Sequence, residues 1–243
     1  MNTFSRLGLG PKGQLEVRRP RADSVPTLVF PPARTSGGLP LMEVLKRRLS
    51  QREFATTRLP EQMLGDLLWA ACGVNRPALG GRTAPRAMNS QEIDVYVALP
   101  AGLYRYEPFG HLLCLEVARD VRAETGNQDF TAEAAVDLVY VADNSRVQLV
   151  REEQREDYAY TTAGAMAQNV YLYCAWQGLA TVLRAWIDRG ALGAVMKLSA
   201  DQQVLLAQTV GYPKLERSCT WCHADKAADV PDAGSEAADS QTR

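Results

Sequence analysis

Apolar residues recur at helical spacing in two early segments. Leu41, Val44 and Leu45 share one stripe behind Pro40, which predicts a helix running to about Arg48. Met63, Leu64, Leu67, Leu68 and Ala71 form a second apolar face, opened by Pro60 and closed by Gly73. The pattern then shortens to that of strands. Ile93–Leu99, Leu103–Tyr106 and Leu112–Val117 are separated by Pro100-Ala101-Gly102 and by a Pro108–Gly110 turn. Asp137–Ala142 is a brief apolar run between polar residues, the mark of a buried strand. Residues 158–178 predict the longest helix, with Ala159, Ala163, Ala167, Val170 and Cys174 making a seam of small side chains suited to close helix packing. Ala180–Ile187 reads as strand and Arg189–Lys197 as helix, while Asp201–Val210 fits neither period cleanly. Hairpin-like strands set among helices, without strict βαβ alternation, indicate an α+β fold.

The flanks differ from this centre. Residues 1–37 are rich in Gly, Pro and Arg without periodicity and read as an extended arm; 217–243 are mostly polar and read as a disordered tail. The working domain is expected over 38–216. At 243 residues, 46% hydrophobic and 23% charged, the chain can build one core of ordinary size. A formal net charge of −1 gives no basic field for nucleic acid or an anionic membrane. No apolar run approaches the ~20 residues of a membrane span. The first 25 residues lack the apolar stretch of a secretory signal, so the expected location is cytoplasmic.

Two histidines, His111 and His223, leave little material for a histidine-dependent triad or a multi-histidine metal site, and no Walker A loop is present. Gly8–Gly13 matches G-x-G-x-x-G but has no preceding strand and is interrupted by Pro11. His111 reads as a turn residue, and Cys72, Cys114 and Cys174 as buried small hydrophobes. Cys219-Thr220-Trp221-Cys222-His223 formally matches the c-type haem attachment sequence, but no export signal accompanies it; chance, or a weak metal or disulfide site, is the reading kept.

Two polar segments carry candidate chemistry. If the first helix ends near Arg48 and the chain continues extended, Arg48, Ser50 and Arg52 project to one side. Two guanidiniums and a hydroxyl suit a phosphate and the polar edge of a flavin; a solvated basic helix end is the plainer alternative. Asn89 and Gln91, in the loop before Ile93, can both donate and accept along a flavin edge, or simply shape a turn.

R-x-S-x-R near the start of the domain, followed by N-S-Q at 89–91, resembles the nitroreductase superfamily. Gly102-Leu103-Tyr104-Arg105-Tyr106 with His111-Leu112 is similar to the signature of its azoline-dehydrogenase-like branch, and Val210-Gly211-Tyr212-Pro213 to the superfamily's late V-G-Y-P. The resemblance spans about residues 38–215 in the right order. It implies a mainly antiparallel central sheet flanked by helices, a homodimer joined through the small-residue helix, and FMN at the subunit interface. Arg48 would contact the phosphate, Ser50 and Arg52 the ribityl chain and pyrimidine edge, Asn89 and more weakly Gln91 the ring or ribityl, and the backbone at Ala185 and Trp186 the flavin near N5. Pro85-Arg86 departs from the Pro-Ser of many members, and the basic pair after the last strand is reduced to Lys214 and Arg217. The implied activity is hydride transfer from NAD(P)H to a small organic acceptor such as a nitroaromatic or quinone. A peptide-azoline dehydrogenase working with a cyclising partner, and a flavin- or haem-binding module without turnover, are the alternatives.

Overall fold

The computed structural model describes residues 26–86, 90–147 and 150–214. In chain order the elements are β1 (Pro26–Val29), α1 (Leu41–Arg47), α2 (Glu61–Cys72), β2 (Val74–Arg76), β3 (Gly81–Arg82), β4 (Ile93–Leu99), β5 (Gly102–Glu107), β6 (Leu112–Val117), α3 (Phe130–Glu133), β7 (Val136–Asp143), α4 (Glu152–Gln177), β8 (Ala180–Arg184), α5 (Arg189–Val195) and β9 (Gln202–Gly211). Seven strands form one sheet in the order β1-β6-β5-β4-β7-β9-β8, and every pairing in it is antiparallel. β2 and β3 make a separate small hairpin. The expected α+β architecture, an antiparallel sheet flanked by helices, is what the chain adopts.

β7 shows why the sheet holds. All eight of its residues are buried, because Val136, Leu138, Tyr140 and Ala142 meet α2 and α4 on one face while Val139 and Val141 meet the α5 side on the other. A strand covered on both faces loses the alternation of apolar and polar residues and reads as a continuous apolar run. β9 resisted a sequence reading for a related reason. Its Gln208 and Thr209 are fully buried yet satisfied. Gln208 accepts from the Tyr140 hydroxyl at 2.6 Å and donates to Thr181 Oγ1 at 3.2 Å, and the Thr209 hydroxyl donates to Asp137 at 2.5 Å.

α4 begins at Glu152, earlier than its apolar period, since its first turns carry only polar residues; Glu152 and Glu153 there favour the positive end of the helix dipole. It ends where Gly178 adopts φ 71°, a left-handed conformation that glycine tolerates. The seam Ala159, Ala163, Ala167, Val170 and Cys174 is 0–2% exposed within the single chain. These side chains pack on the chain's own sheet and α2, so the expectation that the seam joins two subunits is corrected: small residues let α4 lie close to its own sheet.

The N-terminal arm is also corrected in part. Pro26–Val29 pairs with β6 at the sheet edge, and Phe30 is buried against Gly65 of α2. The folded unit therefore starts before residue 38. Four residues are too few to show a period, and an edge position tolerates proline. After Phe30, Asp66 anchors the chain by accepting the Arg34 N–H at 2.9 Å, and Gly38 lies against the Trp176 ring.

His111 occupies the β5–β6 turn with φ 51°, its Nδ1 2.8 Å from the Tyr106 hydroxyl, as a turn residue should. Cys72, Cys114 and Cys174 are free and buried. Among the described residues no helix is long and apolar enough to cross a membrane. The Gly8–Gly13 segment and Cys219, Cys222 and His223 lie outside the described residues.

Candidate functional site

α1 stops at Arg47, and Arg48 turns extended at φ −60°, ψ 120°. The chain then runs along the free edge of β8, where the Gln51 N–H donates to the Thr181 carbonyl at 3.0 Å. Further on, the Ala55 N–H donates to the Tyr212 carbonyl at 2.9 Å and Phe54 bridges to Pro213. Arg48 and Ser50 do converge. Both meet Tyr171 of α4: the Arg48 guanidinium lies 5.2 Å from the centre of the phenol ring, and Ser50 Oγ is 2.8 Å from the phenol oxygen. The Leu183 N–H of β8 donates to the same oxygen at 2.9 Å. Arg48 is half-buried, Ser50 and Arg52 are exposed, and Arg52 forms no ion pair among the described residues. Arg48 and Ser50 thus meet just beyond α1, with Arg52 following in the same extended segment, and none of the three pairs with an acidic side chain among the described residues.

β8 leads straight into Ala185 and Trp186, both exposed; Trp186 keeps 68% of its surface open. The Ala185 carbonyl accepts from the Ile187 N–H and the Arg189 guanidinium, each at 3.1 Å, so its acceptor positions are already used within the chain. The corner is anchored from beneath. Arg184, the last residue of β8, donates to Asp137 Oδ1 at 2.7 Å, to the Thr125 carbonyl at 2.8 Å and to Thr125 Oγ1 at 3.1 Å. Burial pushes the Asp137 carboxyl up to about 6, against the opposing pull of Arg184 and the Thr209 hydroxyl. The same burial lowers the Arg184 pKa.

The second predicted segment lies elsewhere. Ile93 is level with Ala142, which is level with Gln203, whereas Thr181 is level with Val210. Leu183, whose amide meets the Tyr171 hydroxyl beside Ser50, is level with Gln208, so five residues along β9 and three strand spacings, roughly 20–25 Å at ordinary sheet dimensions, separate Ile93 from that contact. Within a single chain the described residues just before β4 therefore stand across the sheet from Arg48 and Ser50. Gln91, with φ 54°, accepts from Arg82 at 2.8 Å through its side chain and from Arg146 at 2.7 Å through its carbonyl. Next to it Glu92 is buried, accepting from Thr162 at 2.6 Å and Ser90 at 2.5 Å. Gln91 therefore serves internal structure within this chain. Asn89 lies outside the described residues.

A cavity of about 470 Å³ opens between the 34–41 segment, α2 and α4, with Trp69, Tyr173 and Trp176 in its walls. None of the predicted cofactor residues among the described residues lines it. Beside it, α1 exposes Leu41, Met42 and Leu45 at 63%, 75% and 43%. No cluster of potential metal ligands occurs among the described residues. Sequence reasoning missed Tyr171, Arg184 and Asp137. An aromatic on the buried side of a helix reads as core, and nothing local in the sequence pairs Arg184 with a carboxylate 47 positions away.

Comparison with known proteins bears on the fold and family. A sequence profile of the Nitroreductase family matches residues 45–212. A protein of Methanocaldococcus jannaschii described as a nitroreductase is 32% identical over 152 residues, covering 58% of this chain and 76% of the relative. A crystal structure from Ralstonia eutropha, also described as a nitroreductase, is 48% identical with a TM-score of 0.75, covering 79% of this chain and 94% of that one. At 16% identity and a TM-score of 0.53, the NADPH:FMN oxidoreductase of Vibrio harveyi shares the fold over 78% of this chain and 79% of its own. The family match covers well over half of the sequence, and the chain belongs to the nitroreductase family.

Proposed function

We propose that this protein is an FMN-dependent oxidoreductase that moves hydride from NAD(P)H to a small organic acceptor, acting as a homodimer. The observation that carries the reading is the meeting of Arg48 and Ser50 on Tyr171 at the exposed edge of β8, one turn of chain from Ala185 and Trp186. The donor set fits a flavin mononucleotide: a cation for the phosphate, a hydroxyl for the ribityl chain and a second cation for the pyrimidine edge. When bound, the flavin supplies the hydride chemistry. The chain's own residues bind and orient it. Arg48 neutralises phosphate charge, Ser50 donates to a ribityl oxygen, and Arg52 stabilises negative charge at the pyrimidine edge. The NADPH:FMN oxidoreductase of Vibrio harveyi has the same fold, which supports the choice of cofactor and donor.

Features of the surface support the homodimer. A second copy could bring the end of its own β4, which lies across the sheet from the Arg48 site within one chain, up to that site. The unpartnered Leu41, Met42 and Leu45 offer an apolar face next to the cavity for that contact. The exposed Trp186 also suits a covered corner or a flat acceptor more than open solvent. Denaturing the purified protein and chromatographing the released flavin tests the reading. FMN is expected; FAD, or no flavin after reconstitution, would refute it.

A further inference from the structure

We infer that Tyr171 is a positioning residue for the flavin: its hydroxyl replaces a strand partner at the β8 edge, and in doing so turns Ser50 into a hydrogen-bond donor aimed at the ligand. The inference rests on the FMN reading of the Arg48–Ser50 site.

β8 is the last strand of the sheet, so one of its edges carries unpaired backbone groups. The 48–52 segment could satisfy all of them by pairing as an eighth strand. It does so only at Gln51, whose N–H meets the Thr181 carbonyl. At Leu183 the phenol oxygen takes the amide instead. The backbone of residues 48–50 is thereby released from the edge, and Ser50 stays exposed.

The direction of the remaining hydrogen bond follows from counting protons. The Leu183 N–H is a fixed donor, so the phenol oxygen accepts it. The phenol's own proton then needs an acceptor, and Ser50 Oγ at 2.8 Å is the acceptor it has among the described residues. The reverse orientation would strand the proton of a side chain that is 8% exposed, the costly arrangement. Ser50 Oγ therefore accepts from Tyr171, and its own hydroxyl proton is free to point outward at an acceptor oxygen of the ribityl chain. The ring of the same tyrosine sits under the Arg48 guanidinium at 5.2 Å, restricting that side chain before any ligand arrives. One residue that touches no ligand thus orders two that do.

Tyr171→Phe keeps the ring beneath Arg48 and removes only the hydroxyl, so the fold is retained. FMN is titrated into the full-length wild type, Tyr171→Phe, Ser50→Ala and the double variant, with the Tm of each flavin-free protein measured alongside. The FMN Kd is expected to rise about fivefold in each single variant, the size of one ordinary hydrogen bond. The double variant should bind no worse than the weaker single one, because Ser50 acts through the alignment that Tyr171 supplies. A tyrosine that only supports the helix would lower the Tm of the flavin-free protein and leave Kd at the wild-type value. That result, with Ser50→Ala still weakened, overturns this inference while leaving the FMN reading intact. Fully additive losses overturn it as well. A wild type that binds no FMN overturns both.

Discussion

Replacing Arg184 with Met tests whether the Asp137–Arg184 pair anchors the Ala185–Trp186 corner. Both side chains are buried, at 0% and 3% exposure, and their oxygen and nitrogen are 2.7 Å apart. Met keeps the unbranched stem but removes the guanidinium and its bonds to Asp137 Oδ1, the Thr125 carbonyl and Thr125 Oγ1. Asp137 would be left buried with only the Thr209 hydroxyl as partner. Breaking one side of such a pair costs about 3–5 kcal/mol. For a domain of this size that lowers Tm by roughly 6–20 °C. The loss should also depend on pH. Asp137 has its carboxyl raised to about 6 in the folded chain, against 3.8 ordinarily. A raised carboxyl binds its proton more tightly folded than unfolded, so its contribution to stability is greatest below the ordinary value and is lost as pH climbs through about 6. Without Arg184 the carboxyl rises further, and the variant loses stability over a wider range of rising pH. Thermal unfolding of both proteins at pH 5 and pH 8 reads this out, with the larger difference expected at pH 8. A difference under about 2 °C, or one equal at both pH values, would refute the anchor and the placement of charge at Asp137.

Other changes separate binding from chemistry. Arg48→Ala should fold normally and weaken FMN binding by roughly ten- to a hundredfold, the loss of one charge-assisted bond, with turnover largely recovered at saturating FMN. Arg52→Ala should leave stability within about 0.5 kcal/mol, since the residue is exposed, yet shift the midpoint potential of the bound flavin downward; equal, wild-type-like values in both variants would remove the site. Met42→Glu should convert a dimer to monomer by light scattering and lower flavin occupancy with it. A dimer that survives the charge would show that α1 is not the contact.

Much of the fold could be read before any coordinates, and the exceptions have physical causes. The helices at 41 and 61 and the hairpins from 93 to 117 are legible because their apolar residues recur at helical or strand spacing between turn-forming boundaries, although of the stripe at 41 only Val44 is buried. β9 is not, since Gln208 and Thr209 enter the core with their hydrogen bonds supplied from other strands. β1 is too short to show a period, and the first turns of α4 are solvated. The seam of α4 was visible, but a small-residue stripe records close approach without naming the neighbour, which proves to be the chain's own sheet. At the site the sequence placed Arg48 and Ser50 on one side correctly, because the helix end and the extended continuation fix their direction. It could not place Tyr171 between them, since that contact spans 121 positions. Nor could it reveal that Gln91 stands at the far end of the sheet, because position along a strand is set by register.

Flavin held at the Arg48–Ser50 corner is expected to carry the hydride transfer. Anaerobic titration of the FMN-loaded wild type with NADH and with NADPH tests it most directly. The visible flavin band should bleach with about one equivalent of at least one donor, and return when a quinone or nitroaromatic is added. Loaded protein that neither donor reduces would contradict the account.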